Sequence, residues 1–216
     1  MKNKITIAVP RGRIIDECKK LLNSTFFAPD PLLYDDKCRK LFFNSKNNKV
    51  NYIKVRSFDV CTFVAFGAAD LGIAGDDVVQ EFDYSEVYAP LDLNLGHCRL
   101  SVAALKSLLK SEDPSSWSNI RIATKYPNIA KNFYAEKGVQ VEAIKLNGSM
   151  ELAPKLSMCR RIVDLVSTGK TLKENGLVEI EKIMDVQSKL IVNRSAYKTK
   201  SKQIDSIIET FKENIK

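Results

Sequence analysis

The stretch RIVDLVSTGKTLKENG, residues 161 to 176, has the pattern of a buried strand that runs through a tight polar loop into a helix. The helix is predicted to begin at Thr171, and its first turn leaves backbone N–H groups at the positive end of the helix dipole. Gly169 lets the backbone approach an anion closely, and Thr168 and Lys170 add hydroxyl and cationic donors. The segment therefore predicts a phosphate site.

This loop differs from the P-loop of nucleoside triphosphatases, although it contains the letters GKT. The P-loop pattern requires a glycine five residues before Gly169, and Asp164 occupies that position. A carboxylate at the end of a strand can accept hydrogen bonds from ribose hydroxyls. Two interpretations stay open from the residues alone: a site for a phosphorylated ribose, or an ordinary helix cap beside a solvated aspartate.

Strand-like and helical patterns alternate along the rest of the chain. Strand-like runs lie at 5–9, 40–43, 52–55, 70–75, 98–105, 120–124, 139–146, 178–185 and 188–193, and helical patterns at 14–22, 57–66, 127–137 and 200–216. The alternation predicts an α/β fold with mainly parallel sheets covered by helices. The polar stretch 106–119 is predicted to be a surface loop. Two domains fit this rhythm, with 1–92 plus 181–216 in the first and 93–180 in the second.

The charge pattern disfavours a nucleic-acid-binding protein. The formal net charge is +8, but the 34 Lys and Arg residues are interleaved with 26 Asp and Glu residues. The excess suits polyphosphate substrates or solubility equally well. No apolar run approaches the roughly 20 residues that span a bilayer, and the run at 5–9 is too short for a secretion signal. A cytoplasmic protein is therefore expected.

Cysteine and histidine usage gives no sign of a zinc site. The five cysteines form no CxxC pair, and an odd number cannot all pair within the chain, so reduced thiols are expected. With a single histidine, His97, no cluster of zinc ligands is expected. A structural role is favoured for His97 over a catalytic one.

Further motifs extend the signal over nearly the whole chain, in order. They are AVPRGRI (8–14), CRKLFF (38–43), VRSFDV (55–60), GAADLGIAGDDV (67–78), LDLNLGHCRL (91–100), RIATKYPNIAKNFYAEKGV (121–139), IKLNGSMELAP (144–154) and DVQSKLIVNRSAYK (185–198). Together with 161–176, they resemble the ATP phosphoribosyltransferase family. The length resembles the short form, which lacks the C-terminal regulatory domain of the long form.

The resemblance implies a fold of two α/β domains around a cleft, like that of type II periplasmic binding proteins. It implies a glycosyltransferase that joins N1 of ATP to C1 of phosphoribosyl pyrophosphate (PRPP) and releases pyrophosphate, the first step of histidine biosynthesis. Mg²⁺ would be carried by the substrate phosphates, with no metal site on the protein. The implied partner is a regulatory subunit resembling histidyl-tRNA synthetase, with a homodimer alone, a hetero-octamer with that partner, and neither nucleic acid nor membrane.

By the same resemblance, one set of residues binds PRPP. Asp164 would hold the ribose hydroxyls, and Glu151 would support the site. The 5-phosphate would be held by Thr168, Gly169, Lys170, Thr171 and Leu172. A small-molecule binding protein of the same fold class is the alternative, because a fold does not fix a function.

Four arginines are candidates for the phosphates of both substrates. Arg13 and Arg39 match basic positions of the family and are expected to be catalytic, because cations aimed at the departing pyrophosphate stabilise the transition state. Arginine can clamp phosphate oxygens bidentately, which lysine cannot. Arg11 and Arg56 are candidates for contacts to the ATP phosphates. A surface or structural ion pair is the alternative role for each of them.

Several positions depart from the family pattern. Arg11 replaces the lysine of the usual PKGR motif, and Asp76 replaces a lysine that many relatives carry. Ser157 stands where a glycine is usual, and Arg160 and Arg161 replace an acidic and a small residue. None of these changes falls within the phosphate loop.

Overall fold

The computed structural model of the chain describes residues 4–108 and 117–215. The predicted surface loop, 106–119, lies largely outside these described residues. The chain divides into two compact units, one formed by Met1–Gly96 with Gln187–Lys216 and the other by His97–Val186. Across the described ranges, no helix combines the length and the apolar character needed to cross a membrane.

Each unit contains one sheet with helices packed against it. The strands are β1 (Ile5–Pro10), β2 (Phe42–Asn44), β3 (Val50–Val55), β4 (Leu71–Gly75), β5 (Val87–Asp92), β6 (Cys98–Leu105), β7 (Asn119–Thr124), β8 (Gln140–Lys145), β9 (Arg161–Val166), β10 (Leu177–Val186) and β11 (Ser188–Asn193). The helices are α1 (Arg13–Asn23), α2 (Ser57–Ala65), α3 (Asp76–Phe82), α4 (Pro127–Ala135), α5 (Leu152–Lys155), α6 (Lys170–Glu174) and α7 (Arg194–Asn214), with a 3-10 turn at Pro31–Tyr34.

Both sheets are mixed, which corrects the prediction of mainly parallel sheets. In the first, ordered β2-β3-β1-β4-β11-β5, β1 is parallel to β3 and β4, whereas β2, β11 and β5 join antiparallel. In the second, ordered β10-β6-β9-β7-β8, β7 is parallel to β8 and β9, whereas β6 is antiparallel to both neighbours. A short turn between β2 and β3 explains one antiparallel pair, because parallel strands need a longer crossover.

Two helices cover the first sheet with the apolar faces that the sequence predicts. α1 buries Ile15, Cys18, Leu21 and Leu22, and α7 buries Ile204, Ile207, Ile208 and Phe211. These side chains join one core cluster with the inward residues of β1, β3 and β4. Each fully buried Leu, Ile or Phe contributes about 1.5–3 kcal/mol. The packing of α1 and α7 therefore stabilises the first sheet, which positions the loops at the ends of its strands.

α2 forms where a helix is predicted at 57–66, and it ends one residue earlier than predicted. Ser57 is the first helical residue, and Arg56 occupies the cap position. The helix ends at Ala65, and Gly67 follows with φ +71°. That left-handed conformation favours glycine and stops the helix.

The C-terminal helix begins earlier than the sequence predicts. It starts at Arg194, because the side chain of Asn193 accepts a hydrogen bond from the Ala196 N–H at 2.7 Å and caps the helix. The predicted start at residue 200 coincides with a kink, where Lys200 has φ −131°. The Lys200 ammonium lies 2.8 Å from Asp70 Oδ1, which ties the kink to the first sheet.

The structure moves both domain boundaries relative to the sequence prediction. The predicted boundary after residue 180 falls inside β10, which pairs with β6 from Leu177 to Val186. A strand hydrogen-bonded along its length cannot be divided between two units, so the second unit ends after β10. The first boundary lies at Gly96, after the loop that follows β5, rather than after residue 92. As predicted, β11 and α7 return to the first unit.

Candidate functional site

The segment from β9 to α6 forms a tight turn at the carboxyl end of a strand. Gly169 has φ +74° and occupies the cap position of α6. The Lys173 N–H donates to the Gly169 carbonyl at 3.1 Å, and the Lys170 N–H lies 3.4 Å from Thr168 Oγ1. A left-handed glycine followed at once by a helical turn directs successive N–H groups outward, which is the geometry that binds anions.

The predicted phosphate-binding residues divide into exposed donors and a buried anchor. Thr168, Lys170 and Thr171 are exposed, whereas Leu172 is buried in the core cluster of the second unit. Leu172 therefore fixes α6 to the sheet and can offer a ligand only its main chain. The Lys170 ammonium lies 3.8 Å from Glu174, but both side chains are mostly exposed, so this ion pair is weak.

Asp164 lies on the same face of the sheet as α6. It stands opposite Ser101 in the pairing of β9 with β6 and is half-buried. Because side chains alternate along a strand, Asp164 shares its face with Ile162 and Val166, which pack in the same core cluster as Leu172. Asp164 Oδ1 accepts a hydrogen bond from the Leu165 N–H at 2.8 Å. The structure therefore brings the carboxylate and the loop to one face.

Glu151 lies at the start of a short helix on the same unit. It occupies the cap position of α5 and is half-buried. The next turn buries Ala153, which packs in the same core cluster as Leu172. Both α5 and α6 are therefore anchored to one apolar layer.

A charged group beside the loop was missed by the sequence analysis. Arg99 Nε and Nη2 lie 2.6 Å and 2.5 Å from the two carboxylate oxygens of Glu179, which makes the contact bidentate. Arg99 Nη1 lies 3.3 Å from the Ser167 carbonyl, and the Ser101 hydroxyl donates to Glu179 at 2.8 Å. The hydrogen bonds from Arg99 hold the pKa of Glu179 below its usual value. The pairing of β6 with β10 brings these side chains together, and no local sequence motif predicts the contact.

The four candidate arginines lie at one edge of the first sheet. Arg11 follows β1 and Arg56 follows β3, and the Arg11 N–H donates to the Val55 carbonyl at 2.8 Å. Arg13 begins α1, and Arg39 precedes β2, whose antiparallel pairing with β3 brings its start to the same edge. Ligands of α/β sheets bind outside the carboxyl ends of parallel strands, and β1 and β3 are parallel. All four arginines are exposed there.

An acidic residue supports Arg13. Arg13 Nε lies 3.1 Å from Glu17 Oε1 one turn along α1, and Glu17 Oε2 accepts a hydrogen bond from the Gly96 N–H at 2.7 Å. The carboxylate is thus fixed at both oxygens. Because the Arg13 side chain is 57% exposed, the pair is screened and leaves the guanidinium open to a polyanion.

The acidic replacement at residue 76 is balanced by a neighbouring lysine. The Lys189 ammonium lies 3.6 Å from Asp76 and 2.9 Å from Asp92, and its hydrogen bond with Asp92 raises the pKa of Lys189. Asp76 also begins α3, where the helix dipole favours a negative charge. The change from the family pattern is therefore accommodated locally.

The remaining departures lie away from the phosphate loop. Ser157 has φ +57°, a conformation that explains why a glycine is usual there. The Arg161 guanidinium stacks 3.6 Å from the centre of the Trp117 ring. Ser157, Arg160 and Arg161 line a cavity of about 610 Å³ near the starts of β7 and β9. The loop leaves the opposite end of β9, so this cavity is separate from it.

The cysteines and the histidine are distributed over both units. Cys18, Cys61 and Cys159 are buried, Cys38 and Cys98 are half-buried, and none of the five forms a disulfide. His97 is exposed at the first residue of the second unit.

Comparisons with known proteins identify the family of the chain. The sequence model of the family described as ATP phosphoribosyltransferase matches residues 56–213. The ATP phosphoribosyltransferase of Rhodospirillum rubrum is 54% identical over 211 residues, covering 98% of this chain and 93% of the relative. That of Geobacter metallireducens is 49% identical over 215 residues and is covered completely, as is this chain.

Two solved structures extend the comparison to the fold. A chain of the ATP phosphoribosyl transferase (HisG:HisZ) complex from Thermotoga maritima has a TM-score of 0.81 and 31% identity, with 98% of both chains covered. The alkanesulfonate-binding protein SsuA of Xanthomonas axonopodis pv. citri, bound to MOPS, has a TM-score of 0.58 and 11% identity, covering 98% of this chain and 73% of that one. The second likeness concerns the fold alone and confirms the prediction of two α/β domains of the periplasmic-binding-protein type.

The family resemblance seen in the sequence is thus confirmed by a match over most of the chain, by relatives of matching length and by a solved structure of the same name. The chain belongs to the ATP phosphoribosyltransferase family, whose members are glycosyltransferases of histidine biosynthesis.

Proposed function

We propose that this chain is the catalytic subunit of a short-form ATP phosphoribosyltransferase, which joins N1 of ATP to C1 of PRPP and releases pyrophosphate. The observation that carries the proposal is the meeting of the Asp164 carboxylate and the 167–171 turn on one face of the second sheet. A carboxylate beside an anion-binding turn suits a sugar with free hydroxyls and a terminal phosphate. A plain helix cap would not need the carboxylate on that face.

In this proposal Asp164 accepts hydrogen bonds from the ribose hydroxyls of PRPP. Thr168, Lys170 and Thr171 donate to the 5-phosphate together with the main chain of Gly169 and Leu172. Charge-assisted hydrogen bonds of this kind are roughly twice as strong as neutral ones. Glu151, fixed at the start of α5, supports the same site.

The arginines of the first unit act on the other phosphates. Arg13 and Arg39 stabilise the charge that grows on pyrophosphate as the bond from C1 to its oxygen breaks. Arg11 and Arg56 bind phosphate oxygens of ATP. Their support is the shared position at the carboxyl edge of β1 and β3. Donors aimed at developing charge accelerate a reaction more than donors that bind the ground state equally well.

The reaction requires little proton transfer from the protein. The lone pair of adenine N1 attacks C1 of the ribose, and pyrophosphate leaves with the electrons of the broken bond. The proton on the 6-amino group is lost afterwards to solvent. Holding two bound reactants in the attacking geometry supplies much of the acceleration in such a step. Positioning and electrostatics are therefore the main roles of the chain.

Mg²⁺ would be held mainly by the substrate phosphates. In the described part of the chain, no group of three or more His, Cys, Asp or Glu residues gathers as metal ligands. Mg²⁺ usually keeps several waters and binds through phosphates plus one or two carboxylates, so it requires no such group. When bound, it neutralises negative charge on pyrophosphate.

A regulatory subunit resembling histidyl-tRNA synthetase is part of the proposal. The complex from Thermotoga maritima contains two kinds of chain by its name, and its matching chain is covered almost completely. A homodimer alone and a hetero-octamer with the partner are the proposed assemblies, in the cytoplasm.

The proposal is tested by mixing the purified chain with ATP, PRPP and Mg²⁺, with and without the regulatory subunit. Product is followed by the ultraviolet difference absorbance of phosphoribosyl-ATP, and omission of either substrate is the control. We expect an absorbance rise that requires both substrates. A folded chain that yields no product in either mixture contradicts the proposal.

A further inference from the structure

We infer that Arg99 is a positioning residue that holds the 167–171 turn in its PRPP-binding form, an inference that rests on the proposed function. Arg99 is the described side chain that joins the turn to a neighbouring strand through a main-chain atom of Ser167. Ser167 directly precedes Thr168, the first predicted phosphate ligand. A shift of the Ser167 carbonyl would therefore move every donor that follows it.

The Arg99 guanidinium is itself fixed in place. It lies on β6 and clamps Glu179 of the adjacent strand β10 with two parallel hydrogen bonds of 2.6 Å and 2.5 Å. The planar fork leaves Nη1 directed at the Ser167 carbonyl, 3.3 Å away. Two paired strands thus hold the donor, so the turn is fastened to the rigid sheet.

An irregularity in β10 gives Glu179 its place. The register between β10 and β6 shifts between Glu179 and Glu181, which leaves Ile180 as the extra residue. Such a bulge re-aims the neighbouring side chains. Glu179 thereby reaches both Arg99 and the buried hydroxyl of Ser101, at 2.8 Å.

The same contact governs the charge next to the ribose site. Ser101 stands opposite Asp164, so its hydroxyl and the Glu179 carboxylate that it contacts lie on the face of Asp164. Without Arg99, an uncompensated carboxylate would stand near a substrate that carries several negative charges. Arg99 therefore both shapes the turn and removes this repulsion, and neither effect concerns ATP.

The test compares steady-state constants of the chain with its regulatory subunit for the wild type and three variants: Arg99→Gln, Arg99→Lys and Glu179→Gln. Arg121→Gln is the matched control, because Arg121 pairs with Glu142 at 2.8 Å across β7 and β8 of the same sheet. It lies near the start of β7, which is parallel to β9, whereas the loop leaves the other end of β9. For Arg99→Gln we expect a rise in the KM for PRPP of about tenfold or more, with the KM for ATP unchanged. Arg99→Lys keeps the positive charge but cannot form the bidentate contact with Glu179. Its KM for PRPP should therefore lie between those of the wild type and Arg99→Gln.

Glu179→Gln separates positioning from direct contact with substrate. If Arg99 acts through its anchor, this variant also raises the KM for PRPP. If Arg99 instead binds PRPP directly, the released charge lowers or preserves that KM, which overturns the inference. The inference also falls if Arg99→Gln behaves like Arg121→Gln, or if the KM for PRPP and the KM for ATP rise together.

A wild type that forms no product overturns the proposed function instead. Binding of PRPP measured calorimetrically on the same four variants then decides whether Arg99 acts on the turn.

Discussion

Asp164 lies directly opposite Ser101 where β9 pairs with β6, and the Ser101 hydroxyl donates to Glu179 on the next strand. Asp164, the residue proposed to bind the ribose, therefore lies on a central strand of the second sheet and not on the loop that follows that strand. Strands hold a side chain more rigidly than loops do. Substitution of this carboxylate should consequently change binding more than folding.

The first prediction concerns Asp164→Asn. Loss of the charge should raise the KM for PRPP about tenfold to a hundredfold, because hydrogen bonds to a charged acceptor are replaced by weaker ones. The KM for ATP and the melting temperature should change little. Glu209→Gln is the control, since Glu209 is exposed on α7 of the first unit and pairs with Lys212 one turn away. Unchanged use of PRPP by Asp164→Asn would remove Asp164 from the site.

The second prediction concerns Gly169→Ala. At φ +74° an alanine is strained by about 1 kcal/mol, although the space is open, since the nearest atom to an added Cβ is Val166 Cγ1 at 3.9 Å. Gly138→Ala is matched to it, with φ +73° and nothing within 4 Å of the added Cβ. Thermal denaturation should show a similar loss of stability in both. PRPP titration should show weaker binding only for Gly169→Ala, because only Gly169 lies in the proposed phosphate-binding turn. Equal binding in both variants would argue against the site.

The third prediction concerns the cationic edge of the first sheet. Arg13→Gln and Arg39→Gln should each lower kcat by about a hundredfold, because a donor aimed at developing charge is lost. The matching lysine variants should recover only part of this rate, since lysine lacks the bidentate fork. Arg121→Gln serves as the control, and rapid-quench measurement of pyrophosphate release isolates the chemical step. Full activity of both glutamine variants would show that the two arginines have no catalytic role.

The fourth prediction concerns stability at Ser157. Its φ of +57° is costly for a residue with a side chain, so Ser157→Gly should raise the free energy of unfolding by up to about 1 kcal/mol. Ser57→Gly in α2 should have the opposite sign, because glycine is unfavourable in a helix. Urea denaturation of the three proteins checks both signs. A destabilised Ser157→Gly would show that the serine side chain has a role of its own.

The fifth prediction concerns thiol reactivity. Burial raises the pKa of Cys18 and of Cys61 to about 12, so both remain protonated at pH 8 and unreactive in the folded chain. Burial also raises the pKa of Cys159. Iodoacetamide labelling followed by mass spectrometry should modify only half-buried Cys38 and Cys98 under native conditions, and all five thiols in denaturant. Rapid native labelling of Cys18 or Cys61 would contradict the burial.

Local patterns in the sequence predict most of the elements but not their pairing. The helical faces of α1 and α7 are readable because apolar residues recur every three to four positions. β5 is missed because it is only half-buried and contains Pro90. Apart from the pair of β2 and β3, the antiparallel pairs and the boundary after β10 are set by hydrogen bonds between distant segments, which local periodicity does not predict.

The candidate site shows the same division. The turn at Gly169 and the place of Asp164 follow from one contiguous segment, and the structure brings them together as the sequence predicts. Leu172 is different, because its burial depends on packing against α5 and the sheet. Arg99 and Glu179 stand 80 residues apart in the chain, and the bulge in β10 joins them. Such contacts follow from the fold alone.

In the proposed reaction, this chain forms a bond between N1 of ATP and C1 of PRPP. The most direct measurement uses PRPP labelled with carbon-13 at C1 and ATP labelled with nitrogen-15 at N1, and observes the product by nuclear magnetic resonance. We expect a one-bond coupling between the two labels, which appears as pyrophosphate is released. Consumption of PRPP without that coupling, or coupling to another nitrogen in uniformly labelled ATP, would contradict it.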